Sequence, residues 1–107
     1  MKVIYKYPVP IVDRFSLNLP RGAQVLSVQM QYDNPQMWVL QDTNTDVPPK
    51  PRKFAVFGTG HQIPADLSLH HLGTIQMVDG ALVWHVFEIM GSSLVSVDPQ
   101  SNAEEPS

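Results

Sequence analysis

Cysteine is missing altogether from these 107 residues. Its absence removes disulfide stapling, thiolate metal sites and any Cys nucleophile, and it fits a reducing compartment. Long apolar runs are missing too, since none approaches the roughly 20 residues of a membrane-spanning helix. The opening MKVIYKYPVP holds a Lys but lacks the roughly 7–15-residue apolar stretch of a signal peptide. The expectation is a soluble, cytoplasmic protein with no membrane partner. Basic charge is also short: seven Lys and Arg face ten Asp and Glu, a net charge of −3. Asp98, Glu104 and Glu105 hold the whole imbalance, which leaves seven acids against seven bases over residues 1–97. A nucleic-acid binder carries its basic excess on the folded part, so nucleic acid is not the expected partner.

Helical periodicity is the next absence. The segment PADLSLHHLG, with Asp66 early and Gly73 late, offers at most one short helical turn. What the chain has instead is alternation. In RFSLNL, Phe15, Leu17 and Leu19 share one face and Arg14, Ser16 and Asn18 the other. In QVLSVQMQY, Leu26, Val28, Met30 and Tyr32 oppose Ser27, Gln29 and Gln31, and the turn DNP returns the chain through QMWVLQD. A second hairpin runs from LGTIQMV through Asp79 and Gly80, a pair suited to a two-residue turn, into ALVWHVFEIM. That strand is apolar on both faces, as a central strand would be. The Pro-rich TNTDVPPKPR reads as an exposed extended loop before the strand KFAVF. The fold class is therefore all-β: about seven antiparallel strands in a small sandwich or barrel. Residues 1–90 form a single β domain, and residues 91–107 form a polar, acidic C-terminal tail. The last ten residues lack the apolar surface to offset their ordering entropy, so the tail is expected to be mobile.

Chemistry has few footholds. In FGTGHQIP, the amides of Gly58, Thr59 and Gly60 could cradle an anion, with Arg52 and Lys53 a strand's length upstream. Phosphate loops lead into a helix with GxxxxGK[ST] or GxGxxG spacing, which this is not, and glycines at a strand end equally serve a tight turn. His61 and His85 are distant in sequence, while adjacent His70 and His71 must face opposite ways on a strand, so no metal site is expected. No GxSxG elbow is present, and the acids fall mostly at turns, where Asp bonds its own backbone. The expectation is a protein that is not an enzyme and needs no cofactor.

KVIYKYPVP, LPRGAQVLSVQ, MWVL, FGTGHQIP and LGTIQMVDGALVWHVFE, in this order, resemble a family of small proteins of unknown function from tailed bacteriophages. The likeness spans residues 2 to about 88, and its recurrent loop and HVFE strand imply constraint on Gly58, Gly60, His61 and His85. It brings no activity. It implies an accessory protein in the host cytoplasm that binds and blocks a host or bacterial-defence protein, presenting Gly58, Thr59, Gly60, His61, Trp84 and His85. The alternative is a sponge for a nucleotide-type signal, as a homo-oligomer with its pocket between subunits. There Arg52 or Lys53 would meet the phosphate and Trp84 or Tyr32 the base. A minor virion component is the third reading.

Overall fold

The computed structural model describes residues 1–44 and 46–92. The residues fall into seven strands: β1 (Lys2–Pro8), β2 (Arg14–Leu19), β3 (Gln24–Gln31), β4 (Asn34–Asp42), β5 (Lys50–Gly58), β6 (Leu67–Met77) and β7 (Leu82–Ser92). All pairings are antiparallel, and the strands form two sheets of order β1-β4-β3 and β2-β5-β7-β6. The Cα envelope is only 17 Å along its shortest axis, which leaves room for two layers stacked about 10 Å apart. The barrel alternative is set aside: neither sheet closes on itself.

The core lies between the sheets. Val28, Met37 and Val39 from the three-stranded sheet meet Leu19, Phe54, Val56, Ile75 and Val86 from the four-stranded one. Alternation explains β2 as read, with Phe15, Leu17 and Leu19 turned inward and Phe15 stacked on Phe54 at 5.1 Å. The two sheets come closest where β3 meets β6. A Cβ built on Gly73 would lie 2.8 Å from the Val28 carbonyl oxygen and 3.1 Å from its Cβ, so glycine is what lets the strands approach there.

Several expectations need correction. No helix forms among the described residues: Ala65 and Asp66 make a turn, and β6 starts at Leu67, so Gly73 sits in a strand. A bulge between Val25 and Ser27 shifts the alternation of β3. Val25 therefore packs against the core, while Leu26 is left 44% exposed. Tyr32 is not a strand residue either. With Asp33 it forms the two-residue hairpin turn, at φ of 50° and 66°, and it is 89% exposed. The turn thus comes one residue earlier than DNP suggested, and Asn34 closes it by donating from its side chain to the Tyr32 carbonyl. At the second hairpin, Met77 pairs with Leu82, so the loop holds residues 78–81 rather than Asp79 and Gly80 alone. Asp79 and Gly80 do take positive φ, and Val78 joins them at 54°, a conformation that costs an L-residue about 1–2 kcal/mol.

β5 begins at Lys50, so the Pro-rich loop is shorter than TNTDVPPKPR implied. β7 runs to Ser92, two residues past the expected domain boundary. The expected acidic tail lies, from residue 93 onward, outside the described residues. Among the described residues no helix is long and apolar enough to cross a membrane.

Candidate functional site

The FGTGH segment folds as a closed turn. The His61 N–H donates to the Gly58 carbonyl at 3.0 Å, with Gly60 at φ 89°, the arrangement of a type II turn that needs glycine at its third position. The Thr59 N–H donates to the Val83 carbonyl, which ties the turn to β7. The His61 ring then folds back, and its Nδ1 accepts from the Gly58 N–H at 3.3 Å. A side chain on Gly58 would strike that ring, with Cε1 only 2.8 Å away. The opposite edge of the story is Trp84: the His61 ring stands edge-on to it at 6.4 Å, and the buried Trp84 Nε1 has no hydrogen-bond partner among the described residues. One amide of the proposed anion cradle is thus bonded to His61 of the same loop.

His85 lies on the other face of β7. Its Nε2 shares a hydrogen bond with the Thr59 hydroxyl at 2.7 Å, and its Nδ1 one with the Thr74 hydroxyl at 3.0 Å. Thr74 also meets Nε2 of His71 at 3.1 Å. Because a hydroxyl carries one proton, Thr74 can donate to only one of these two imidazoles. When both rings carry a single N–H, the chain Thr59–His85–Thr74–His71 therefore runs in one direction or the other as a unit. Phe87 stands edge-on to His71 at 5.1 Å and to Phe57 at 6.0 Å, which makes an aromatic floor beside it. Sequence spacing gave no sign of this chain, since it depends on the pairing of β5, β6 and β7. Of the predicted site residues, Thr59 and His85 come together on the outer face. Gly58, Gly60, His61 and Trp84 come together at the loop and core side, so His61 and His85 do not pair. Among the described residues no group of three or more His, Asp or Glu could hold a metal ion.

Arg52 goes elsewhere. It points into the protein and grips Glu88 side-on, Nε to Oε2 at 2.6 Å and an Nη to Oε1 at 2.8 Å, while its other Nη donates to the Ala23 carbonyl. The hydrogen bonds to Glu88 raise the Arg52 pKa first, burial opposes them, and the charge attraction adds to the rise. The side chains keep only 22% and 9% of their surface. The guanidinium is thus committed to an internal ion pair, six residues of extended strand, or about 20 Å, from Gly58. Lys53 is on the outer face of the same strand and exposed.

The three-stranded sheet offers a second surface. Thr43 donates to the Met1 carbonyl and Val9 to the Pro35 carbonyl. With the register of β1 on β4, odd-numbered residues of β1 turn their backbone groups to β4. The N–H and C=O of Lys2, Ile4 and Lys6 therefore face away from it, along an edge that is open among the described residues. The odd side chains lie on the core-facing side, where Tyr5 is still 52% exposed and the Tyr7 hydroxyl donates to Oε1 of the buried Gln41 at 2.7 Å. Lys2, Ile4 and Lys6 consequently share the outer face with their register partners Asp42, Leu40 and Trp38. Ile4 is 52% exposed, and Leu40 and Trp38 are half-buried. Lys6 reaches across β4 to donate to Oε1 of Gln31 at 2.6 Å. Sequence reasoning missed this face, because only the pairing with β4 shows which residues share it.

A domain of unknown function, DUF7352, matches residues 1–94. The chain belongs to this family. The match takes in all seven strands of the DUF7352 fold, the 57–64 turn and both surfaces described above. It carries no activity, ligand or source. No curated protein and no solved structure matches the chain.

Proposed function

We infer that this DUF7352 domain is a protein-binding module without catalytic activity of its own, and that it works through the three-stranded sheet. The observation that carries the reading is the open edge of β1 beside the outward Ile4, Leu40 and Trp38. A Trp on the solvent side of a central strand adds nothing to the core, and Trp is enriched at interfaces. An unpaired strand edge is the feature that a partner chain can extend. The setting we infer is a tailed bacteriophage, on the order of motifs from KVIYKYPVP to HVFE. The protein would act in the host cytoplasm by blocking a host or defence protein. The nucleotide-sponge reading loses support from Arg52, which is bound to Glu88, and from the Gly58 amide, which is bonded to His61.

Capture from a bacterial lysate, with bound proteins quantified by mass spectrometry, tests this. A partner enriched by the parent protein should fall about tenfold with Ile4→Asp and with Trp38→Thr, and stay with His71→Ala, which alters only the four-stranded sheet. Loss that follows His71→Ala, or no enriched protein at all, overturns the reading. A melting rise of about 10 °C or more with a nucleotide would install the sponge instead.

A further inference from the structure

We propose, resting on the protein-binding reading above, that the open edge of β1 takes up an extended acidic segment of the partner as an added antiparallel strand, in the alternation acid–x–apolar–x–acid. The backbone sets the register. An added residue that exchanges both hydrogen bonds with Ile4 places its neighbours two residues away opposite Lys2 and Lys6. Those three side chains then share the outer face with Lys2, Ile4 and Lys6, because they pair directly across the new ladder. Opposite a Lys the favourable residue is an acid, and opposite Ile4, with Leu40 alongside it, an apolar one. Pro8 ends the site, since it offers no N–H.

The charges on that face favour an acid more strongly at one end. Among the described residues, Lys6 is matched only by the neutral amide of Gln31. Lys2 already has Asp42 opposite it on β4. The acid facing Lys6 is therefore the more selective of the two. A second copy of this chain fits worse. Antiparallel self-pairing centred on Ile4 sets Lys2 against Lys6 at both ends, and like charges directly opposite are unfavourable. Centring on Tyr5 sets Lys2 against Pro8 and loses a backbone bond. Of the other sheet edges, β3 and β6 approach each other at Val28 and Gly73, and β2 shows the polar Arg14, Ser16 and Asn18 and has no apolar centre.

The test uses the full chain and two probe peptides capped at both ends, GTETVTEG and GTKTVTKG, with amide exchange and chemical shifts read by NMR. The acidic probe should bind saturably, slow exchange at the amides of Lys2, Ile4 and Lys6, and bind about tenfold or more tightly than the basic one. Lys6→Glu should reverse that order. Ile4→Pro, which removes an N–H that β4 does not use, should abolish binding while the melting temperature reports an intact fold. Equal binding of the two probes, no saturation below about 5 mM, or protection along Arg14, Ser16 and Asn18 instead overturns the inference. If the acidic probe fails while Ile4→Asp and Trp38→Thr still abolish partner capture, the protein-binding reading stands and the added strand falls. If capture is also unmoved, both fall.

Discussion

Arg52 and Glu88 are the residues on which the interior is most sensitive to a single change. A side-on guanidinium–carboxylate pair across the neighbouring strands β5 and β7 satisfies both groups, and the Ala23 carbonyl takes a further N–H. Removing one partner leaves a buried charge, at a cost of about 3–5 kcal/mol. Glu88→Gln should therefore lower the melting temperature by more than about 10 °C. Combining Arg52→Met with Glu88→Leu should recover much of that loss, because apolar replacements of such pairs are often neutral. Loss of under about 1 kcal/mol for Glu88→Gln would show that the pair is solvated in solution. The Arg52 pKa is raised in the fold, so its contribution is fully present below its unfolded value and is lost only as pH rises through the folded one. That lies in strong alkali, and Arg52 adds no pH dependence to stability near neutrality. Neither residue signals this role in the sequence. Arg52 ends the Pro-rich TNTDVPPKPR and reads as a candidate phosphate contact, and only the pairing of β5 with β7 brings it to Glu88.

At the scale of the element, Gly73 governs how the two sheets meet. The Val28 backbone sits where its side chain would be, and a carbonyl in a paired strand cannot swing aside. Gly73→Ala should cost about 1–3 kcal/mol, or roughly 5–20 °C in melting temperature. Gly58→Ala is the informative contrast. It strikes only the ring of His61, an exposed side chain that can rotate away where a strand carbonyl cannot, so a melting curve should separate the two variants clearly. Equal losses would contradict the close approach of β3 and β6. The strands themselves were legible wherever one face is buried without interruption: Phe15, Leu17 and Leu19 state the whole of β2. The reading failed where local geometry departs from simple alternation. The bulge at Val25 and Ser27 turned Leu26 out, and Tyr32 took a left-handed turn position that nothing in its side chain advertises. The segment before Gly73 resembled a helix end only because its glycine serves packing rather than a cap. Of the candidate site, the turn at Gly60 was legible from its glycines. The hydrogen-bonded chain through His85 and the face around Trp38 were not, since both are made by strands far apart in sequence.

The two sheets converge at β3 and β6, while each ends on the other side in a strand, β1 or β2, with no further strand beyond it among the described residues. One edge is polar on its outer face. The other carries Ile4 between two lysines and borders Leu40 and Trp38. That asymmetry is the basis for placing a partner on the three-stranded sheet and leaving the four-stranded sheet, with its Thr59–His85–Thr74–His71 chain, facing solvent. The most direct measurement is hydrogen–deuterium exchange by mass spectrometry on the complex with a captured partner, against the protein alone. Slowed exchange in peptides covering β1, with β4 changed less and the 57–64 turn unchanged, is the predicted result. Protection confined to the 57–64 turn and the strand around His85, with β1 exchanging as in the free protein, would contradict it.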